Sequence, residues 1–512
     1  MRLPIIYVRG FAGDTRGIDR AVDDPFYGFN EGSVHVRVGG DAQPQFHQFE
    51  SPLLRLMLDD DEEPGEVYRP LVQGGQRAFL EAQDDGSVPP RTIWVHRFYD
   101  RAASTFGQRP EAFTLERAAE DLYALVRLVR AKTGASRVHL VAHSMGGLIC
   151  RSMIQRVVPE ATGRPDGAAD VVDRLFTYGT PHGGIEFAVG FGLVEELRDF
   201  FDIGGGAVFG PDRMWEYLTP ADRRDGGPPA GWDPATMPAD GFPRDRVFCL
   251  VGTDPADYAA AGGLSSRAVG ARSDGLVQID HAYVPGAHRA FVHRSHSGRY
   301  GLVNSEEGYQ NLRRFLFGDL QVSVELRGLT RPDPGDDIVW QLETQLAIRG
   351  LPVVVHEQTT AHQCPVQLEW PDAADDDSNP VPLVTTFLLS GQAPAGRTPG
   401  APARLRHALR LRLISLREEH GCCRFGDHLE QTADVDDTLV VDIEPGLPCP
   451  RAWATWNSVI PGAIRDWEPA GPPMGDADES TGVWCTEVPL PATARPVLGQ
   501  RARVRLTVTA RG

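Results

Sequence analysis

No stretch of this sequence approaches the roughly 20 consecutive apolar residues that a membrane-spanning helix needs. At the N-terminus, the apolar stretch Ile5-Ile6-Tyr7-Val8 is too short for the core of a secretory signal, and Gly10 cuts it off. These absences set the expectation of a soluble, cytoplasmic protein with no transmembrane segment; a leaderless export route would leave no mark in the sequence. Cysteine is sparse as well. There are seven, and none forms a CxxC pair, so zinc ligation of that kind is not expected. Reduced thiols fit the missing leader, with a disulfide among the five cysteines beyond residue 360 as the alternative. Positive charge is in deficit, with 51 Lys and Arg against 70 Asp and Glu, a formal charge of −19. Phosphate backbones are bound by clustered cations, so nucleic acid is not an expected partner, and anionic membranes gain no attraction. HExxH is absent too, and neither a metal nor another cofactor is expected.

What the chain has is alternation. Residues 1–318 switch between short apolar strands and amphipathic helices, the pattern of a mostly parallel sheet covered by helices. Strands are expected at Ile5–Val8, Ile93–Phe98, Val138–Val141, Leu175–Tyr178 and Val247–Val251. A helix is expected over 114–132, with Leu115, Ala118, Ala119, Leu122, Leu125, Val126 and Val129 on one face, half a capping box at Thr114 and a stop at Gly134. A last helix runs from about Ser305 to Phe317. Insertions are read at about 14–90, where the acidic run Asp59–Glu63 falls, and at about 185–245. From 319 to 512 the period falls to two, as in Val322, Val324 and Leu326, in Leu409, Leu411 and Leu413, and in Val504, Leu506 and Val508. That pattern, broken by Pro, Gly and Asp clusters, implies an all-β domain, most simply a sandwich.

The most informative segment is Ala142-His143-Ser144-Met145-Gly146-Gly147, between a strand and a helix. A serine hydroxyl is a weak nucleophile and must be exposed to a base. A tight strand-to-helix elbow does this, at the cost of bringing two backbones together. The residues two before and two after the serine must then be small, as Ala142 and Gly146 are. A helix beginning at Met145 also aims its first N–H groups at any developing oxyanion. Ala271-Arg272-Ser273-Asp274-Gly275 fits the same short pattern but lacks the strand before it and the helix after it. Context selects Ser144; the plain alternative is a serine that merely caps a helix.

This elbow resembles that of bacterial triacylglycerol lipases in which Ala replaces the first Gly of the motif. Gly179-Thr180-Pro181-His182-Gly183 is similar to their Gly-Thr-Pro-His segment, and Ser273-Asp274-Gly275-Leu276-Val277 to their acid-bearing loop. The resemblance covers roughly residues 1–318 and implies an α/β-hydrolase fold; the C-terminal part resembles no family identified here.

In that fold the triad runs Ser, acid, His along the chain. Downstream of Ser144 the best acid is Asp274, followed by the strand-like Leu276–Ile279, and the best base is His296, just before the last helix. The resemblance implies the same assignment, with His296 accepting the Ser144 proton and Asp274 holding its tautomer. Asp254 and Asp257 remain open as acids, and His281, His288 and His293 as bases. A metal site at His293 and His296, three residues apart, is the further alternative. Of the two oxyanion-hole donors, Met145 follows from its place after the nucleophile, and Phe11 is implied by the resemblance. Those lipases carry His-Gly where this chain has Arg9-Gly10, which leaves Arg9 open between a structural and a substrate-binding role.

In the second insertion Phe187, Phe191, Val194, Leu197, Phe201 and Ile203 would share a helical face, with three glycines at 204–206 as a hinge. They form either a lid over an acyl pocket or permanent packing on the sheet. The expected activity is therefore a serine carboxylic-ester hydrolase, lipase-, esterase- or phospholipase-like, acting in lipid metabolism on a hydrophobic ester. Acyl transfer by the same triad and an inactive hydrolase domain serving as a binding protein are the competing accounts. The partner of the β domain and the oligomeric state are not legible.

Overall fold

The computed structural model describes residues 2–10, 29, 31–38, 43–58, 67–70, 75–98, 114–186, 207–224, 226–257, 269–298, 300–330, 338–368, 380–394, 402–419, 428–446, 449–478 and 480–511. The chain divides into two compact units, Met1–Leu312 and Arg313–Gly512.

The first unit is organised by a seven-stranded sheet. Its strands are β1 (Ile5–Val8), β4 (Arg69–Pro70), β5 (Thr92–Val95), β6 (Val138–His143), β7 (Val172–Tyr178), β8 (Val247–Gly252) and β9 (His288–Val292). A separate antiparallel hairpin, β2 (Ser33–Val38) and β3 (Pro44–Phe49), falls between the first two of these in the chain. The order across the sheet is β4-β5-β1-β6-β7-β8-β9, and every neighbouring pair is parallel. β1, β5 and β8 are buried at every position, and β6 at all but its last. Parallel strands covered on both faces require such continuous apolar runs. Helix α1 (Leu115–Thr133) buries Leu115, Ala118, Ala119, Leu122, Val126 and Val129, while Leu125 is half-buried. Its first turn is capped by Thr114, whose Oγ1 accepts from the Arg117 N–H at 3.4 Å, and Gly134 ends it at φ 67°.

Helix α2 (Met145–Ser152) starts directly after β6. It continues through a π turn, Met153–Val157, and one more α turn, Val158–Thr162. The second insertion is described from residue 207 and includes α3 (Pro211–Leu218); Phe187, Phe191, Val194, Leu197, Phe201, Ile203 and the glycines 204–206 lie outside the described residues, as does Asp59–Glu63. Helix α4 (Glu306–Phe317) matches the expected last helix, and the division between the units falls inside it. One expected strand is corrected. Leu276–Ile279 forms none: Asp274 N–H bonds to the Val277 carbonyl at 3.1 Å, Gly275 sits at φ 98°, and a 3₁₀ turn spans Ile279–His281. The Asp274 side chain takes the Leu276 and Val277 amides that a strand would need for its neighbour.

The second unit is built of antiparallel sheets. One has five strands: β14 (Val381–Leu388), β10 (Leu320–Arg327), β20 (Arg503–Ala510), β19 (Val483–Pro489) and β18 (Asp476–Asp478). The other runs β12 (Val354–Gln358), β11 (Ile338–Ile348), β15 (Leu405–Glu419), β16 (His428–Glu444) and β17 (Arg451–Trp456), with β13 (Val366–Gln367) paired to β11. Both sheets send residues into one apolar core, Val322, Val324 and Leu506 from the first and Leu346, Leu409 and Leu439 from the second. This is a sandwich, and the strict alternation along β10 and β20 is its signature. Cys150, Cys249, Cys364, Cys449 and Cys485 are free, and Cys422 and Cys423 lie outside the described residues. Among the described residues, no helix is long and apolar enough to cross a membrane.

Candidate active site

The chain turns from β6 into α2 at Ser144, which takes φ 53° and ψ −129°. Among the described residues only Gln363 joins it as a non-glycine with positive φ. Such a conformation costs of order 1–3 kcal/mol and persists only where the surroundings impose it. Here they do. The Ser144 N–H donates to the Tyr178 carbonyl at 2.9 Å, and the Thr180 hydroxyl donates to the Ser144 carbonyl at 2.9 Å. Tyr178 ends β7, and Thr180 lies two residues beyond it. Gly146 has to be glycine, because a Cβ there would drive into the carbonyl oxygens of Val8 and Arg9. Across the elbow, Gly10 lies so close that a Cβ on it would stand 2.8 Å from Ser144 Cβ.

Two distant loops converge on this hydroxyl. His296 Nε2 lies 2.9 Å from Ser144 Oγ, and its Nδ1 lies 2.8 Å from Asp274 Oδ2. All three side chains are buried. Asp274 is itself held: Oδ1 accepts from the Leu276 N–H at 3.0 Å and the Val277 N–H at 2.8 Å, and its carbonyl accepts the His296 N–H at 2.8 Å. With Nδ1 donating to a carboxylate, Nε2 is free to accept the serine proton, the arrangement that a general base requires. Met145 opens α2, so its N–H lies at the positive end of that helix, directly after Ser144. Phe11 lies outside the described residues.

The alternatives sit elsewhere. Asp254 Oδ1 caps its own turn, accepting from Ala256 N–H at 2.9 Å and Asp257 N–H at 3.3 Å. A hydrogen bond with Asp254, and burial second, push the Asp257 carboxyl above the usual range. His293 is exposed, with Nδ1 3.4 Å from Thr253 Oγ1, and His281 and His288 are half-buried. Ser273 donates to the Gly270 carbonyl at 2.6 Å within its own turn. Among the described residues, no group of three or more His, Cys, Asp or Glu side chains could hold a metal ion.

With this geometry in place, comparison with known proteins is informative. A model of the alpha/beta hydrolase family matches residues 36–300. The chain belongs to that family. Proteins named triacylglycerol lipase from Pseudarthrobacter phenanthrenivorans and Burkholderia plantarii are each 42% identical to this hydrolase over 69 residues. That stretch is 14% of this chain and only 18% and 16% of the respective relatives, so well under two thirds of either is covered. Among solved structures, a gene product of Listeria innocua matches over 62% of this chain and 94% of its own, at 13% identity and a TM-score of 0.25.

Several side chains of this hydrolase escaped the sequence reading. His143 occupies the variable position of the elbow motif, yet its Nε2–H donates to the His296 carbonyl at 3.0 Å, and the two rings stand 4.9 Å apart. Burial, then the neighbouring His296 and Arg9, lower its pKa to about 3, so it is a neutral brace. This gives buried Arg9 a structural part: its charge helps to keep His143 uncharged. Arg151, one turn and a half into α2, is fully buried and, among the described residues, hydrogen-bonds to no carboxylate. It donates instead to the carbonyls of His182 (3.0 Å), Pro234 (2.8 Å) and Thr236 (3.2 Å), and to Gln155 Oε1 (2.8 Å). Burial lowers its pKa to about 10. His182 of the Gly-Thr-Pro-His segment faces inward, 3.1 Å from Thr177 Oγ1 and 3.5 Å from Cys249 Sγ, and burial holds it well below the ordinary histidine range. Its part is to fix the loop that carries Thr180. Little in the local sequence announces such residues, because most of their partners lie tens of positions away.

Proposed function

We propose that this protein is a serine carboxylic-ester hydrolase working through an acyl-enzyme. Ser144 Oγ attacks the ester carbonyl carbon while His296 Nε2 takes its proton, and Asp274 stabilises the imidazolium that forms. The oxyanion of the tetrahedral intermediate would accept the Met145 N–H and, by resemblance, that of Phe11. Each such donor is worth roughly 2.7–4 kcal/mol of transition-state stabilisation. Collapse breaks the C–O bond, and the alkoxide leaves with the proton held on His296. Water then loses a proton to His296 as its oxygen bonds to the acyl carbon, and collapse breaks the bond to Ser144 Oγ, which takes the proton back from His296 as the acid leaves. The observation that carries this reading is the continuous relay of 2.9 and 2.8 Å from Ser144 Oγ to the Asp274 carboxylate.

A hydrophobic acyl chain is the substrate feature best supported, by the apolar pattern of residues 187–203 and by the lipase-named relatives. The decisive experiment is labelling with a fluorophosphonate, with the adduct located by mass spectrometry. Modification is expected on Ser144 and is expected to vanish in Ser144→Ala. A folded, unreactive wild-type protein, or an adduct elsewhere, defeats the proposal. Turnover of p-nitrophenyl esters of graded chain length then sets the acyl preference, and product analysis with added alcohols separates hydrolysis from acyl transfer.

A further inference from the structure

Far from the relay, the same unit contains a cavity of about 820 Å³, lined in part by Gln155, Pro159, Trp215, Trp232, Pro238 and Phe242. Gln155 and Pro159 lie 11 and 15 residues beyond Ser144 on one continuous helical run. The rise of a helix puts them on the order of 20 Å away along its axis. The volume lies in the range of small-molecule pockets, roughly 300–1,000 Å³.

Its walls are preformed. Trp215, on α3, meets Trp232 edge to face, with ring centroids 5.2 Å apart and planes at 82°. Prolines on three different segments add surface that loses little entropy on binding. Gln155 is fixed by Arg151 Nε, and the same guanidinium holds the Thr236 carbonyl at the far wall. Trp215 carries a further mark. Its Nε1–H is buried and has no hydrogen-bond acceptor among the described residues. A buried donor left without a partner costs roughly 1–3 kcal/mol, which a carbonyl brought in by a ligand would relieve after a small tilt of the ring.

Charge narrows the ligand class. Glu160, Asp222, Asp233 and Asp240 stand around the cavity against Arg164 and Arg223. Arg223 is engaged by Asp240, and Arg164 by Asp166 and Asp170. Among the described residues that line the cavity, no unpaired cation is left for an anionic ligand, on a chain that is already strongly acidic. We infer that this Trp215–Trp232 cavity is a second ligand site, separate from the ester-cleaving one, that takes an uncharged aromatic molecule bearing a carbonyl acceptor. The inference stands on this cavity alone and is independent of the reaction at Ser144.

The test uses the full chain with the Ser144 region first blocked by a long-chain fluorophosphonate or, should that reagent not react, saturated with a C12 alkyl ester. The probe is 6-propionyl-2-dimethylaminonaphthalene, a neutral naphthyl ketone whose emission shifts to the blue in apolar surroundings. One saturable site is expected, with energy transfer from tryptophan. Trp215→Phe keeps a ring but removes the N–H and should weaken binding by about three- to tenfold, the worth of one hydrogen bond. Trp232→Ala should weaken it more than tenfold, and thermal midpoints monitor the fold of both. 8-Anilinonaphthalene-1-sulfonate, of similar size but anionic, should bind at least tenfold more weakly than the ketone. Loss of the site on blocking, indifference to both substitutions, or equal affinity for the anion overturns the inference. Should Trp232→Ala fail to fold, Trp215→Phe alone decides.

Discussion

The two units of this chain use buried space differently. In the β unit, the core from Val322 to Val508 is assembled from residues that contribute by area, each replaceable by another apolar side chain of similar volume. In the first unit the sheet is equally apolar, but its carboxyl edge buries Asp274, His296, His143, Arg151 and His182, and holds Ser144 in a conformation that costs energy. Polar groups are buried there only because each has a directed partner, several of them backbone carbonyls. The β unit buries a directed pair of its own, Arg406 with Asp442, but its apolar core is built for bulk, whereas the carboxyl edge of the first unit is built for direction. Substitutions should therefore separate stability from chemistry in opposite senses in the two.

The largest separation is expected at Asp274. Asp274→Asn keeps the shape and an acceptor for the Leu276 and Val277 amides but favours the wrong histidine tautomer, so kcat for ester cleavage should fall by roughly ten-thousandfold. The urea midpoint should move little. A loss under tenfold would remove Asp274 from the relay and reopen Asp254. The converse holds for Leu409, fully buried between the sheets. Leu409→Ala should destabilise the β unit by about 2–5 kcal/mol, with the scatter set by how far the cavity collapses. Esterase turnover per folded molecule should be unchanged, as measured by titrating active sites with the fluorophosphonate.

A third contrast is in pH. His143 has its pKa held near 3 when folded, against 6.5 as the ordinary value. The unfolded chain therefore binds the extra proton first as pH falls, and stability is lost between about 6.5 and 3, by up to about 1.4 kcal/mol per pH unit. Above 6.5 both states are neutral and the contribution is complete. His143→Gln retains a donor for the His296 carbonyl and should flatten the slope of unfolding free energy against pH by about one proton in that window. An unchanged slope would mean that His143 is not held neutral.

How much of this was legible in the sequence follows from the same division. Strands of the parallel sheet and of the sandwich were readable because burial on two faces or on one leaves a local period, as in Val138–Val141 and in Val504, Leu506 and Val508. Ser144, Asp274 and His296 were legible by residue type and chain order, Ser144 directly after β6 and His296 four residues after β9, whereas Asp274 lies 22 residues beyond β8 and, among the described residues, beside no strand end. The brackets around them were not. His143 bonds across 153 positions and Arg151 across 31 and more, and neither separation leaves a local pattern. The expectation of a strand at Leu276–Ile279 failed for a related reason: the apolar run there was outweighed by the Asp274 carboxylate, which captures two consecutive amides.

The smallest effect tests the strain itself. Ser144 sits at φ 53°, ψ −129°, where a Cβ is unwelcome and glycine is at ease. Ser144→Ala and Ser144→Gly both remove the nucleophile, so neither should turn over ester, and any difference between them is a property of the backbone. Glycine gains the relief of strain but also gains freedom in the unfolded chain, worth about 0.5–1 kcal/mol against it. If the elbow holds 1–3 kcal/mol of strain, the glycine variant should exceed the alanine variant by about 1 kcal/mol in unfolding free energy. The sign is the reading that matters. Glycine also outranks alanine at an ordinary helix N-cap, the place Ser144 occupies, so the measurement can only break the reading: a glycine variant weaker than alanine would show that the bonds with Tyr178 and Thr180 hold a relaxed turn rather than a loaded one.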